Sequence, residues 1–157
     1  MPEKDVDYKS IIEKFYTSFA QLDAKGMASC YHENIHFLDP AFGNLRGEEA
    51  SKMWEMLIKR SKGNLAVTFS DVWAEDGYGG ASWTAEYKYE NRPVINQVKA
   101  HFKFSEGKII EHNDVFNVWI WSRQALGPMG WLLGWTGFVA NGIRKKSRKL
   151  LEDFIQQ

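Results

Sequence analysis

Between Asp7 and Ala24 the apolar residues Tyr8, Ile11, Ile12, Phe15, Phe19 and Leu22 recur at three- and four-residue steps, which predicts an amphipathic helix ended by Lys25-Gly26. Met27, Cys30 and Tyr31 read as a second short helix closed by a turn at His32-Glu33-Asn34. The run from Ile35 to Pro40 reads as a short strand that stops at Pro40, because proline cannot donate to a ladder; Asp39 is thereby held at a strand end. A loop from Gly43 to Gly47 precedes a helix from Glu48 to Arg60, with Met53, Trp54, Leu57 and Ile58 on its buried side. Strands then follow over Leu65 to Glu75, Gly80 to Tyr89 and Val94 to Phe104, with turns at Asp76-Gly77-Tyr78-Gly79 and Asn91-Arg92-Pro93. Helices followed by a strongly curved antiparallel sheet make an α+β pattern, with the helices packed on one face of the sheet.

The chain is organised around one stretch, Val98 to Trp121, in which two β-rich runs flank Ser105-Glu106-Gly107-Lys108 and fold back as a hairpin. Alternation puts Ile110, His112, Asp114, Phe116, Val118 and Ile120 on one face of its second strand, apolar except at two positions. Burying His112 and Asp114 without partners would cost roughly 1–3 kcal/mol or more each. They therefore either sit at an exposed strand end, pair with each other, or form the polar centre of an apolar small-molecule site. Trp83, Phe69, Phe102, Phe116 and Trp119, at strand spacing, belong to the core and, in part, to the wall of such a site. His101 alternates with Ala100 and Phe102 and should face away from it. His32 and His36 flank a strand start with no third metal ligand at a recognisable spacing, so no metal site is expected.

Composition narrows the partners. At 157 residues the chain is long enough to bury a real core, and one domain spanning 1–157 is expected. Twenty basic residues balance twenty acidic ones, so no global field draws the chain to nucleic acid. Aromatics are 15% of the sequence, including seven Trp, and so much ring area calls for a large core, a lined pocket or a sizeable interface. The single cysteine, Cys30, excludes an internal disulfide framework and reads as a packed thiol. The charged N-terminus has no apolar signal region and no apolar run is long enough to span a membrane, so a cytoplasmic protein is the expectation.

The order helix, short helix, strand ending in Leu38-Asp39-Pro40, helix, then strands closing on His101-Phe-Lys-Phe104 and Gly107-Lys-Ile-Ile-Glu-His112-Asn-Asp114 resembles the nuclear transport factor 2-like superfamily. Within it the chain is most similar to the ketosteroid isomerase and SnoaL-like polyketide cyclase branches. The resemblance covers Tyr8 to Trp121. It implies a cone of curved sheet wrapped by helices around a deep apolar pocket, commonly dimerised through the sheet. Asp39 falls where ketosteroid isomerases keep a proton-shuttling aspartate. Their two donors to the enolate oxygen fall, counting without gaps, at Phe15 and Ala100, neither of which can donate. Losing one such donor costs about 10²–10³ in rate, so steroid isomerisation by that route is not expected. Asp114 falls near the acid/base aspartate of SnoaL-like cyclases, with His112 beside it. The resemblance thus implies a catalytic group of Asp39, His112 and Asp114, a substrate surface of Phe15, Phe19, Trp54, Trp83, Ala100, Phe102 and Phe116, and no cofactor.

The core predicted by this resemblance ends near Trp121, and residues 122–157 form an extension. Gly127-Pro128 breaks the chain, Trp131, Leu132, Leu133 and Trp135 make an apolar patch, and Phe138 to Phe154 reads as a helix with a basic run at Arg144, Lys145, Lys146, Arg148 and Lys149. Three readings of the extension stand: a lid over the pocket mouth, an element exchanged with a partner subunit, or a helix on an anionic membrane surface. For the whole chain the leading expectation is an isomerase, cyclase or hydratase acting by acid/base chemistry on a hydrophobic carbonyl compound. The alternatives are a non-catalytic carrier of a hydrophobic ligand and a structural oligomerisation domain whose interior is filled by its own side chains.

Overall fold

The computed structural model describes residues 7–133 and 137–157. Trp135 of the expected apolar patch, the charged residues 1–6 and the side chains of Leu133 and Phe138 lie outside what is described.

Helix α1 (Tyr8–Ala20) starts where the Asp7 carboxylate accepts the Ser10 amide at 3.1 Å, and it turns Ile12, Phe15, Tyr16 and Phe19 inward. It stops earlier than expected, because Leu22 takes a left-handed φ of 56°. Helix α2 (Ala24–Ala28) is one short turn capped by Asp23. Strand β1 (Tyr31–Asp39) then begins where a helix end and a turn were expected. The correction has a tertiary cause: β1 lies parallel to β6 (Lys108–Val115), with Tyr31 opposite Ile109 and Phe37 opposite His112, and that pairing overrides the local turn signal.

The expected loop at Gly43 is likewise ordered, as the short strand β2 (Gly43–Arg46) paired back on β1. Helix α3 (Glu48–Ser61) buries Ala50, Met53, Trp54 and Met56. The strands β3 (Ala66–Glu75), β4 (Tyr78–Tyr89) and β5 (Arg92–Ser105) complete a sheet of order β2-β1-β6-β5-β4-β3, antiparallel except between β1 and β6. Register shifts in β1–β6, β3–β4 and β5–β6 mark irregularities of the kind that bend strands, and the curved sheet stays open at both edges.

The second strand of the organising hairpin is shorter than its β-rich composition suggests. It ends at Val115, because the Asn117 side chain accepts the Ile120 amide at 3.1 Å and starts helix α4 (Val118–Leu126). Val118 and Ile120 therefore leave the His112 face, and Ile120 is exposed. Helix α4 is tied to β5 through Gln124, which bonds both the amide and the carbonyl of Ile95, and to β4 through Trp121 Nε1, which donates to Tyr87 Oη at 2.7 Å.

A short helix α5 (Pro128–Leu133) leads toward α6 (Gly137–Ile155), which returns to the body of the protein. Leu151 joins the main core, Ile143 packs on the smaller cluster of Val94, Trp121 and Ala125, and Arg148 Nη1 donates to the carbonyls of Phe42 and Asn44 at 3.0 Å each. Lys146 meets Tyr89 and Glu90 in the β4–β5 turn. Helix α6 thus runs as a strap between the β1–β2 and β4–β5 turns. No helix among the described residues is long and apolar enough to cross a membrane.

Candidate active site

The interior of the curved sheet holds one continuous run of hydrogen bonds. Trp54 Nε1 on α3 donates to Tyr31 Oη on β1 at 2.8 Å, and that oxygen lies 2.8 Å from His112 Nδ1 on β6. His112 Nε2 lies 2.9 Å from Asp114 Oδ1, which also accepts from Trp83 Nε1 on β4 at 3.3 Å. Three strands of the sheet and one helix thus contribute to one run that passes through the imidazole. His112 has no exposed surface, and Asp114 is 4% exposed.

The protonation pattern follows from counting donors. The Tyr31 oxygen already accepts the Trp54 N–H, so its single proton is satisfied by donation to His112 Nδ1, and Nε2 then carries the proton that bonds to the Asp114 carboxylate. Burial, opposed by the Trp54 N–H, holds the Tyr31 phenol well above its usual range, so it remains a donor. Each end of the run is closed by an indole, the side chain that offers a donor and no competing acceptor.

Tyr16, next to Phe15 on α1, was missed by reading the sequence. It is fully buried, packs against Phe69, Trp83 and Phe102, and its hydroxyl finds no partner among the described residues. Burial first, then the nearby Asp114 charge, pushes its phenol well above the usual value, so it too stays protonated. The gapless count placed Phe15 where an oxyanion donor would stand; the donor-bearing ring is one residue on. Its signal was the step from Ile12 to Tyr16 to Phe19 on the inner face of α1. Tyr31 stands on β1 rather than on the expected second helix, and only that strand aims its hydroxyl at His112.

Asp39 and Asp114 stand at the same end of two neighbouring parallel strands, each two residues beyond the paired Phe37 and His112 and on the same face. Part of Asp39 reaches solvent, yet its carboxyl sits in the β1–β2 turn, where the Phe42 amide donates to Oδ1 at 2.5 Å. Its pKa is pushed up to about 7, chiefly by burial and further by the charge of Asp114, against the pull of the Phe42 and Ala41 amides and of Arg144 on α6. The strap helix therefore brings a cation to the carboxyl at the end of β1.

Of the expected substrate surface, Phe15, Phe19, Trp54, Trp83, Ala100 and Phe102 are all buried in this interior, with Ala100 opposite Asp114 and Phe102 opposite His112 across β5–β6. Phe116 lies beyond the end of β6 and is only half-buried. These side chains do not line an open hollow around the imidazole. Rings of Phe102, Phe37, Phe15 and Trp54 pack on His112 with centroids 4.5, 5.0, 5.4 and 6.1 Å away, because Phe and Trp at facing positions fill the space that smaller residues would have left. Two surface hollows lie elsewhere: about 240 Å³ against Tyr31, Ile35 and Gly47, and about 550 Å³ between α4 and α5. His101 is exposed on the outer face, His36 Nε2 is 2.7 Å from Asn44 Oδ1, and His32 lies near Glu106. Cys30 is buried, and burial raises its thiol pKa.

Residues 12–112 match the model of the SnoaL-like domain family. The chain belongs to that family. Among curated proteins no sequence matches it. The SnoaL-like chain shares its fold with TerC, crystallised with polyporic acid (TM-score 0.65, 14% identity, 74% of this chain and 96% of TerC covered). It is similar in the same way to a putative polyketide cyclase of Xanthomonas campestris (TM-score 0.60, 16% identity, 74% and 94% covered). A third such structure is an epoxide hydrolase of the LEH-like kind from M. tuberculosis (TM-score 0.60, 18% identity, 78% and 92% covered). At these identities the likeness is one of fold, and a shared fold does not by itself fix an activity.

Proposed function

We propose that this SnoaL-like protein is an acid/base enzyme of the isomerase, cyclase or hydratase kind, acting on a hydrophobic compound that contains a carbonyl group. The observation that carries the reading is the buried His112–Asp114 pair with the Tyr16 phenol beside it, which has no partner among the described residues. A core that needed only to be filled gains nothing from such groups, since well-packed apolar residues in place of a buried ion pair are often neutral or stabilising. The relatives that share the fold include a putative polyketide cyclase and a protein crystallised with polyporic acid, which agrees with a hydrophobic, oxygen-bearing substrate.

In this reading Asp114, held by His112 Nε2–H and Trp83 Nε1–H, removes a proton from the carbon next to the carbonyl. The carbonyl oxygen gains charge and accepts a hydrogen bond from Tyr16, and Asp39, titrating at about 7, returns a proton at the new carbon. The two carboxyls then exchange the abstracted proton, which restores the starting state. His112 keeps both ring nitrogens engaged and acts as a positioning residue.

The rings that fill the interior favour a second reading, a non-catalytic module in which the same hydrogen bonds only fix the core. Deuterium uptake at the α-carbon of a panel of hydrophobic ketones, followed by NMR in heavy water, separates the two. Wild type should exchange at least one ketone well above the buffer rate, and Asp114→Asn should lose about 10²–10⁴ of that rate. Exchange at the buffer rate across the panel, or an unimpaired Asp114→Asn, overturns the enzyme.

A further inference from the structure

The basic run of α6 was the expected electrostatic handle of the C-terminal extension, but the fold uses much of it internally. Arg148 bonds two carbonyls, Lys146 meets Tyr89 and Glu90, and Arg144 faces Gly43 and Asp39. A different pair of cations is better placed for a partner. The groove of about 550 Å³ between α4 and α5 is lined by Arg92, Arg123, Gly127, Pro128, Trp131 and Leu132. Among the described residues neither guanidinium forms an ion pair with a carboxylate.

Both cations are built in. The Arg123 guanidinium lies between two indoles, 4.7 Å from the Trp119 ring centroid and 4.6 Å from that of Trp131, and the two rings meet edge to face. Arg92 lies over the bare α-carbon of Gly127, where an added Cβ would clash with its guanidinium. Gly127 also takes a left-handed φ of 63°, so glycine is required there twice over. The Trp119 N–H has no acceptor among the described residues. Beside the cations, Met129, Trp131 and Leu132 leave 60%, 57% and 70% of their surface exposed, within one short helix.

From this geometry we infer that the α4–α5 corner is a docking surface for an anionic lipid bilayer, with Arg92 and Arg123 at the level of the lipid phosphates and Met129, Trp131 and Leu132 entering the acyl boundary. Charge complementarity selects this occupant: a protein surface would cover the apolar side chains as well, but paired guanidiniums beside a protruding Met-Trp-Leu cluster match a layer whose anions lie just above its hydrocarbon. Indoles suit that boundary because their rings are apolar and their N–H is not. The chain has no net charge, so the attraction is local to this corner.

Flotation of the full-length protein with vesicles tests it. Protein should float with phosphatidylcholine vesicles containing phosphatidylglycerol, stay behind with phosphatidylcholine alone, and be released by salt. Replacing both arginines by glutamine should weaken binding roughly thirtyfold, each cation near such a surface contributing about a factor of five. Met129→Ser, at a side chain 60% exposed, should weaken it without altering the circular dichroism spectrum, a control in case the arginine variant misfolds. No flotation with either vesicle, equal flotation with both, or a folded Met129→Ser that floats as wild type does overturns the inference.

Discussion

The molecule gathers aromatic rings in two places and uses them in opposite ways. Around His112, rings of Phe15, Phe37, Trp54 and Phe102 enclose a polar run completely, and the indole N–H groups of Trp54 and Trp83 terminate it. At the α4–α5 corner, Trp119 and Trp131 clasp a guanidinium while Trp131 keeps more than half of its surface in solvent. The same side chain is thus a hydrogen-bond terminator where water is excluded and an exposed anchor where it is not. What separates the cases is whether every polar atom nearby has a partner inside the protein. Around His112 nearly all do among the described residues, the Tyr16 phenol excepted; at the corner the Arg123 guanidinium lies against two rings, and among the described residues neither it nor Arg92 pairs with a carboxylate.

The sharpest way to break that contrast is at its polar centre. His112→Ala would leave the Tyr31 hydroxyl and the Asp114 carboxylate buried without their main partner, and breaking a buried pair in this way costs about 3–5 kcal/mol. Urea unfolding should show that loss in its midpoint. Replacing the pair together, His112→Phe with Asp114→Leu, should cost far less, because no orphaned charge is left. If the single and double variants are equally destabilised, the interior is held by shape alone and its polar run is incidental.

Tyr16 sharpens the comparison from the other side. Its buried hydroxyl has no partner among the described residues, so Tyr16→Phe should stabilise the fold by about 1 kcal/mol. If the phenol serves the reaction proposed above, the same variant should lose about 10²–10³ of the ketone exchange rate. A gain in stability with a loss of turnover is the mark of a group kept for a ligand. A loss of both would mean that the hydroxyl supports the fold.

The sequence was legible where periodicity and burial agree, and illegible where tertiary pairing overrules local preference. The inward face of β6 through His112 and Asp114 followed from alternation, as did the outward turn of His101, because a strand with one buried face admits one register. Beyond Val115 the same alternation failed: Val118, Trp119 and Ile120 favour strands by propensity, but the Asn117 cap starts a helix. Tyr31 was lost for a related reason. The register shift between Tyr31 and His36 lets both Tyr31 and His32 be buried, a pattern that neither helix nor strand periodicity predicts. The order of elements announced the SnoaL-like cone. Whether rings would line its interior or fill it depends on facing residues far apart in sequence, and no periodicity carries that information.

The smallest effect tests the place where the two regions meet. Asp39 belongs to the cone, while the cation that opposes its shift, Arg144, belongs to the strap helix. Folding raises the Asp39 pKa from 3.8 to about 7, so between those values the folded chain holds a proton that the unfolded chain has released. Stability contributed by this group therefore falls as the pH rises from about 4 to about 7, and the whole penalty stands above that window. Asp39→Asn keeps an oxygen for the Phe42 amide and removes the titration. Because the residue is partly open to solvent, the penalty is screened to about 1 kcal/mol. Unfolding measured at pH 4 and at pH 8 should show the variant equal to wild type at the lower pH and more stable at the higher. If the advantage appears at pH 4 instead, the carboxyl is held as an anion by the strap, and its place as the proton-returning group is lost.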